Sequence, residues 1–345
     1  MKKEIYGQTK EGQDVYRYTM TNQNGMEIAV MNFGAILLNV MVSDKNGKKR
    51  DVVLGCENLD AYYANPNFFG STVGPNANRI AGAAMDIDGI TYKLAQNDGE
   101  NNLHSDIPNG LNKRLWNAEE GNNSVTFTID LKDMDMGFPG NRSLQVTYTL
   151  TELNEIRIDY KAISDKNTVF NMTNHSFFNL AGHDAGSILG HILQMNTPHY
   201  TPVVAGAIPT GEIAPVAGTP LDFTTAKKIG DEIEADFTQL KLVGGYDHNF
   251  VADACDGNVR EIAQVQEPDS GITMKVYTDL PGVQLYTGNY IDHATGKDGV
   301  VYEKRDGFCL ETQYYPDAIH QKSFPNVIFG PDREYHSTTI YQFGA

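Results

Sequence analysis

Cysteine is scarce in this sequence and has no metal-binding spacing. The three cysteines, Cys56, Cys255 and Cys309, are odd in number and form no Cys-x-x-Cys pair. This pattern indicates neither a thiolate zinc site nor a disulfide framework, and we expect no metal. No apolar run approaches the ~20 residues of a membrane span, and the first residues lack a long apolar segment. We therefore expect a cytoplasmic protein with no membrane partner, unless a native export signal has been removed.

Positive charge is also scarce. The 345 residues include 27 Lys and Arg against 44 Asp and Glu, which gives a net charge of −17. Nucleic acids and anionic membrane surfaces are bound through clustered Lys and Arg side chains, so we expect neither as a partner. A neutral small molecule such as a sugar is compatible with this charge. The hydrophobic content of 40% is that of a folded globular protein.

Helical periodicity is rare as well. The best candidate helix covers residues 224–237, and Gly230 interrupts it. Elsewhere apolar and polar residues alternate with the period of two that is typical of half-buried strands, as in residues 125–131, 143–150 and 156–160. Many short strands separated by turns predict an all-β fold, a large antiparallel β-sandwich. Because no low-complexity linker interrupts the chain, we expect a single domain over residues 1–345.

One carboxylate lies in an otherwise apolar, aromatic run near the C-terminus. Glu311 is part of Gly307-Phe-Cys-Leu-Glu-Thr-Gln-Tyr-Tyr-Pro316, where a charge is costly unless it is paired or used. His175 has both polar and aromatic neighbours, and this segment alone favours a core histidine and an acid–base histidine equally. His104 follows Asn101-Asn-Leu in what reads locally as a polar surface loop, and the segment around Asp247 reads as a turn. One carboxylate and two histidines are the groups that proton-transfer chemistry uses.

Six segments, taken together and in order, resemble the aldose 1-epimerase family, also called galactose mutarotases. They are Asn78-Arg-Ile80, Asn101-Asn-Leu-His104, Thr173-Asn-His-Ser-Phe-Phe-Asn-Leu-Ala-Gly182, Gly245-Tyr-Asp-His-Asn-Phe250, Pro281-Gly-Val-Gln-Leu-Tyr-Thr-Gly-Asn289 and Gly307-Phe-Cys-Leu-Glu-Thr-Gln313. Two earlier segments are also similar, Asn32-Phe-Gly-Ala-Ile36 and Asp51-Val-Val-Leu-Gly55. The resemblance therefore runs from about residue 30 to the C-terminus.

The resemblance implies an isomerase that interconverts the α and β anomers of free aldoses such as galactose and glucose. The fold that it implies is the galactose mutarotase-like supersandwich, with the sugar in a cleft and no cofactor or metal. A base removes the proton of the C1 hydroxyl while an acid protonates the ring oxygen. By the motif match, Glu311 is the base, His175 is the acid and His104 assists at the ring oxygen. The sugar-binding positions of the family match Asn78, Arg79, Asp247 and Gln284.

The protonation state of His175 follows from reference values. At pH 7 about a quarter of an unperturbed histidine is protonated. A neighbouring carboxylate, Asp247 or Glu311, would raise that fraction. We therefore expect the pKa of His175 to lie above its reference value of about 6.5.

Two departures from the family pattern leave alternatives open. Pro75 and Phe177 stand where many members have Arg and Tyr, respectively. We expect Pro75 to make its loop stiffer while the sugar contact of Arg79 is kept. Phe177 lacks the hydroxyl group of tyrosine, and this leaves the preferred aldose open. A hexose-phosphate mutarotase, a non-catalytic carbohydrate-binding sandwich and a glycoside hydrolase with Asp247 as the second carboxylate remain alternatives. We expect either a monomer or a homodimer.

Overall fold

The computed structural model describes residues 1–253 and 256–345, so Cys255 lies outside the described residues. Within the described residues the chain is mainly antiparallel β-strand. The two α-helices are six residues long, Leu59–Ala64 and Thr238–Val243. Single turns of 3₁₀ helix cover Ala81–Ala83, Leu111–Lys113, Asp135–Gly137, Ile188–Gly190 and Lys297–Gly299. No helix in these two ranges has the length and apolar character that a membrane crossing requires. The all-β prediction is confirmed.

Three sheets contain most of the strands. The largest has nine, in the spatial order Asn117–Glu120, Ser124–Leu131, Arg142–Leu150, Glu155–Ser164, Tyr335–Gly344, Thr273–Thr278, Arg260–Gln266, Ile192–Met195 and Lys227–Lys228. The N-terminal sheet has five, in chain order, Lys2–Gln8, Asp14–Thr21, Glu27–Met31, Ile36–Ser43 and Lys49–Asp51. The third, which we call the cleft sheet, also has five, in the order Ala214–Pro215, His199–Tyr200, Asp247–Val251, Gly282–Tyr286 and Cys309–Gln313.

The remaining strands form two-stranded ladders in the connections. These pair Arg79–Ile80 with Asn102–Leu103, Ser71–Val73 with Thr173–His175, Ala84–Ile87 with Ile90–Lys93, Thr168–Val169 with Ile328–Phe329, Val203–Val204 with Ile208–Pro209, and Ala294–Thr295 with Val301–Tyr302. The first two ladders join segments that are far apart in sequence, and they bring the segments with His104 and His175 to the cleft sheet.

The main core lies between the inner faces of these sheets. It includes Ile28 from the N-terminal sheet, Phe127 and Val146 from the nine-stranded sheet, and Leu285 and Leu310 from the cleft sheet. All five are 1% exposed or less, and each such side chain contributes roughly 1.5–3 kcal/mol by leaving water. The alternation seen in the sequence is thus the alternation between this core and the outer faces.

The candidate helix over residues 224–237 is wrong. Only Lys227–Lys228 has regular structure there, as an edge strand paired with Ile192–Met195. Gly230 donates its N–H to the Leu189 carbonyl at 3.0 Å, and a Cβ at this glycine would lie 2.9 Å from the same oxygen. The segment therefore follows the neighbouring chain closely, and the helix begins only at Thr238.

Candidate active site

The floor of the cleft is one face of three neighbouring strands of the cleft sheet. Antiparallel pairing sets Gln284 opposite both Asn249 and Glu311, and it sets Tyr286 opposite Asp247. Since side chains alternate along a strand, these five residues share one face. The other face of the same strands enters the core. The charge of Glu311 in its apolar run is explained by this alternation, because its neighbours point into the core while Glu311 points into the cleft.

Two histidines and two phenylalanines line the cleft next to Glu311. His175 ends the short strand Thr173–His175, and its ring centroid lies 5.2 Å from that of His104 at an interplanar angle of 86°. Phe68 packs against both rings, with centroids 4.9 Å from His104 and 5.9 Å from His175. The ring centroid of Phe177 lies 5.2 Å from that of His175. The two imidazoles are therefore held in an aromatic enclosure.

His104 and Asn78 fix each other through two hydrogen bonds, one from backbone to ring and one between backbone groups. The Asn78 N–H donates to Nδ1 of His104 at 3.1 Å, and the His104 N–H donates to the Asn78 carbonyl at 3.0 Å. Both residues have left-handed backbones, with φ of 57° and 54°, a conformation that costs of order 1 kcal/mol and is found at functional sites. His104 is buried, so the local reading of a surface loop is wrong. The pairing of Asn102–Leu103 with Arg79–Ile80 draws that loop inward.

The hydrogen bond from the Asn78 N–H to Nδ1 determines the tautomer of His104. Because Nδ1 accepts a hydrogen bond, its lone pair faces the Asn78 amide and the proton of a neutral ring resides on Nε2. Burial, the neighbouring His175 and Arg79 together keep the pKa of His104 well below its ordinary value. His104 is therefore a neutral N–H donor toward the cleft.

Glu311 and His175 lie close together in the cleft. Nε2 of His175 lies 3.7 Å from Oε2 of Glu311, and the two residues are only 6% and 2% exposed. Oε2 of Glu311 accepts no hydrogen bond from the described residues. Behind the imidazole, Nδ1 of His175 lies 3.7 Å from Sγ of Cys309. The Nδ1 atom of His175 therefore contacts a polarisable thiol, whereas in many acid–base histidines this atom contacts a carboxylate.

The expected rise in the pKa of His175 is wrong. Burial lowers the pKa of His175 to about 4. Burial also raises the pKa of Glu311 well above its ordinary value, with a further contribution from the Asp247 charge, while Arg79 opposes the shift. The prediction counted a neighbouring negative charge but not the loss of water around both groups. Burial therefore favours the uncharged form of both groups, a carboxylic acid at Glu311 and an imidazole at His175.

This protonation state predicts the titration of the imidazole. We expect the His175 ring to stay neutral as the pH falls through 6.5 and to gain its proton only near pH 4. The measurement is the pH dependence of the imidazole ¹⁵N shifts by NMR, with the signal assigned by its loss in His175→Asn. A midpoint above pH 6.5 would contradict the burial argument. It would favour the earlier expectation, an imidazolium stabilised by a neighbouring carboxylate.

The predicted sugar-binding residues are not all on the cleft surface. Asn78, Arg79 and Asp247 line the cleft, whereas Gln284 lies behind Asp247. Nε2 of Gln284 donates to Oδ1 of Asp247 at 2.7 Å, and Oε1 of Gln284 accepts from Gln313 at 3.3 Å. Burial raises the pKa of Asp247, and Arg79 and Gln284 oppose that shift. Gln284 therefore acts on the orientation of the Asp247 carboxylate.

Several cleft residues were not identified from the sequence. They are Pro66, Asn67, Phe68, Leu103, Tyr286 and Tyr290. Tyr286 lies in a segment that carried the family resemblance, and the Tyr290 N–H donates to its hydroxyl at 3.0 Å. The two rings stack with centroids 6.3 Å apart and 23° between planes, and Tyr290 is 61% exposed at the mouth. The sequence signal for these tyrosines is their place in the motif, within it for Tyr286 and directly after it for Tyr290.

Within the described residues, His104, His175 and Glu311 form a cluster of the residue types that hold metal ions. One potential ligand atom from each lies within 4.8 Å of the others. A neutral histidine needs a free ring nitrogen lone pair to bind a metal, and the Asn78 amide already takes that of His104 at Nδ1. The geometry therefore suits hydrogen bonding to a ligand.

The cleft has a volume of about 170 Å³, below the ~300 Å³ typical of drug-sized sites, so it suits one small molecule.

Known proteins are similar to this chain over nearly its whole length. Residues 16–342 match the family described as aldose 1-epimerase. The galactose mutarotase of Sus scrofa is 37% identical over 343 residues, which are 98% of this chain and 97% of that protein. The aldose 1-epimerase of Escherichia coli strain K12 is 37% identical over 336 residues, 96% of each protein.

Solved structures give the same result. A homologue of aldose epimerases from C. elegans has a TM-score of 0.87 and 29% identity, covering 95% of this chain and 98% of that one. The galactose 1-epimerase of Lactobacillus acidophilus has a TM-score of 0.85 and 29% identity, covering 99% and 98%. The predicted sandwich is therefore the fold of these epimerases.

Proposed function

This chain belongs to the aldose 1-epimerase family, and we propose that Glu311 and His175 are the base and the acid that open and reclose the sugar ring. The protein is an isomerase, a mutarotase that interconverts the α and β anomers of free hexoses such as galactose and glucose. The approach of Nε2 of His175 to within 3.7 Å of Oε2 of Glu311, in a buried cleft, carries the assignment of roles.

We infer that the pair enters the reaction with one proton, which burial favours on Glu311. Transfer of that proton from Glu311 to His175 gives a carboxylate and an imidazolium without a change in total protons. A bound sugar favours this ionised form, because its C1 hydroxyl donates to the carboxylate and its ring oxygen accepts from the imidazolium. Glu311 then removes the hydroxyl proton while His175 protonates the ring oxygen, and the C1–ring oxygen bond breaks. The aldehyde turns about the C1–C2 bond, and the reverse steps close the ring on the other face.

The other cleft residues hold the sugar during these steps. The Nε2–H of His104 donates to the ring oxygen without itself changing charge. Asn78, Arg79 and Asp247 bind hydroxyl groups, and Gln284 keeps the Asp247 carboxylate oriented. Phe177 and the stacked tyrosines at the mouth contact the apolar face of the ring. Fixing the ring in this way is what makes proton transfer at a single carbon efficient.

Polarimetry of freshly dissolved α-D-galactose and α-D-glucose tests the reaction directly. We expect the wild type to accelerate the approach to equilibrium rotation with both sugars, and the two values of kcat/KM rank them. Failure to accelerate either sugar would contradict the assignment of free hexoses as substrates. Release of reducing sugar from a nitrophenyl galactoside under the same conditions would instead favour the glycoside hydrolase alternative.

A phosphorylated hexose is expected to be a poor substrate. A phosphate dianion is bound by several converging cationic side chains. Among the described residues that line the cleft, Arg79 alone is cationic, and it is already paired with Asp98, while Asp247 and Glu311 add carboxylates. We expect kcat/KM for glucose 6-phosphate to be at least about tenfold below that for glucose, measured by polarimetry of each α anomer. Equal values would favour the hexose-phosphate alternative.

The sequence-based expectations of a single domain over residues 1–345, a cytoplasmic location, no nucleic-acid partner, no cofactor, and a monomer or homodimer stay predictions. The acidic net charge of −17 supports the expectation about nucleic acid. A non-catalytic sugar-binding role would need Arg79 and Asp247 but not an acid and a base facing each other.

A further inference from the structure

Arg79 has a carboxylate partner outside the sugar cleft. Its Nε donates to Oδ2 of Asp98 at 2.7 Å, a short charge-assisted hydrogen bond. Asp98 does not line the cleft, whereas Arg79 does. A guanidinium has five N–H donors, so the bond at Nε leaves the four on its terminal nitrogens for the cleft.

The position of Asp98 is fixed by the loop that also carries His104. The Asp98 and Asn101 backbones exchange hydrogen bonds of 3.2 and 3.1 Å in a tight turn. The Asn97 side chain bonds both the N–H and the carbonyl of Leu103, at 2.6 and 2.9 Å. Leu103 in turn lies opposite Arg79 in the ladder. One rigid loop therefore places the Asp98 carboxylate beside Arg79 and the His104 ring beside His175.

Two other carboxylates compete for the same guanidinium. The charge of Arg79 lowers the pKa of both Asp247 and Glu311, against the larger effect of burial, and the charge of Asp98 raises the pKa of Asp247. Arg79 is thus electrostatically coupled to a sugar-binding carboxylate and to the base. Without Asp98, the arginine is free to pair with Asp247 and occupy the space of a sugar hydroxyl.

We propose that Asp98 is a positioning residue, which holds Arg79 through Nε so that its terminal nitrogens face the sugar and which balances its charge toward Asp247 and Glu311. This inference rests on the proposed function, because it assigns how the sugar-binding arginine of that site is kept available.

The test compares Asp98→Asn with Asp98→Glu and with a matched ion pair elsewhere. Arg157 and Asp159 on the nine-stranded sheet have the same contact, Nε to Oδ2 at 2.7 Å, and Asp159 is 37% exposed against 35% for Asp98. Asp159→Asn therefore removes, away from the cleft, an ion pair with the same Nε contact and one further bond, from Nη2 of Arg157 to Oδ1 of Asp159 at 2.8 Å. For Asp98→Asn we expect KM for galactose to rise about tenfold, the value of one charge-assisted hydrogen bond, with kcat changed by less than about threefold. In Asp98→Glu, KM should return most of the way to the wild-type value.

The pH profile gives a readout that a purely structural role would not change. The alkaline limb of kcat/KM reports loss of the proton shared by Glu311 and His175. In Asp98→Asn the charge of Arg79 is no longer balanced, and it favours the carboxylate form of Glu311. The alkaline limb should therefore move to lower pH in Asp98→Asn and stay unchanged in Asp159→Asn. Kinetics and a profile that match those of Asp159→Asn would overturn the inference.

The outcomes separate this inference from the proposed function. If the wild type accelerates mutarotation and Asp98→Asn behaves like Asp159→Asn, only the role of Asp98 is wrong. If the wild type does not accelerate mutarotation, the proposed function is wrong. The role of Asp98 is then decided by calorimetric binding of galactose, which Asp98→Asn should weaken and Asp159→Asn should not.

Discussion

Replacing Glu311 with glutamine is expected to lower kcat for galactose mutarotation by at least ~10²-fold. Glutamine has nearly the same shape and can still receive a hydrogen bond from the C1 hydroxyl, but it cannot remove the proton. KM should change little, because the hydroxyl contacts that we propose for Asn78, Arg79 and Asp247 are unaffected. The measurement is polarimetry at saturating galactose. A kcat within a few-fold of wild type would exclude Glu311 as the base.

Thermal unfolding at two pH values controls for loss of structure in Glu311→Gln. Burial raises the folded-state pKa of Glu311 above its unfolded value of about 4.5. The proton it holds therefore stabilises the wild type fully below pH 4.5, and that contribution is lost as the pH rises through the folded-state pKa. Glutamine does not titrate. The variant should gain in Tm relative to wild type as the pH rises from 4 to 8, so low activity cannot be attributed to unfolding.

Replacing His175 with asparagine should also lower kcat by at least ~10²-fold, because the ring oxygen loses its proton donor when the C1–oxygen bond breaks. The neutral Nε2–H of His104 remains as a hydrogen-bond donor, so some stabilisation of the ring oxygen persists. Single-turnover rates of anomer conversion measure the effect. Activity within a few-fold of wild type would transfer the role of the acid to His104.

His191 offers a matched control for the removal of a buried histidine. It is 2% exposed, burial lowers its pKa to about 4, and its Nε2 accepts the Leu180 N–H at 2.9 Å. It lies outside the cleft lining. His191→Gln should lower Tm while kcat stays within about threefold of wild type. In His175→Asn, by contrast, kcat should fall strongly while Tm changes little. The double variant Glu311→Gln, His175→Asn should lose little more than either single variant, because acid and base act as one unit.

The fold class could be predicted from the sequence because its signal is local. In residues 125–131 the alternating side chains are those that the strand Ser124–Leu131 turns alternately to the core and outward. The helix expected over residues 224–237 failed for a non-local reason. Gly230 and its neighbours follow the Leu189 backbone, and that contact outweighs a weak helical pattern.

The site shows the same division between what is local and what is not. The sequence by itself was enough to propose Glu311, His175 and His104 as the acid–base groups of the site, because residue type and motif order are carried by the chain. Only the tertiary structure decided that His175 is neutral, that Gln284 lies behind Asp247, and that Asp98 holds Arg79. Each of these depends on the water excluded and the charges assembled by segments distant in sequence, and a linear pattern does not record which surfaces come together.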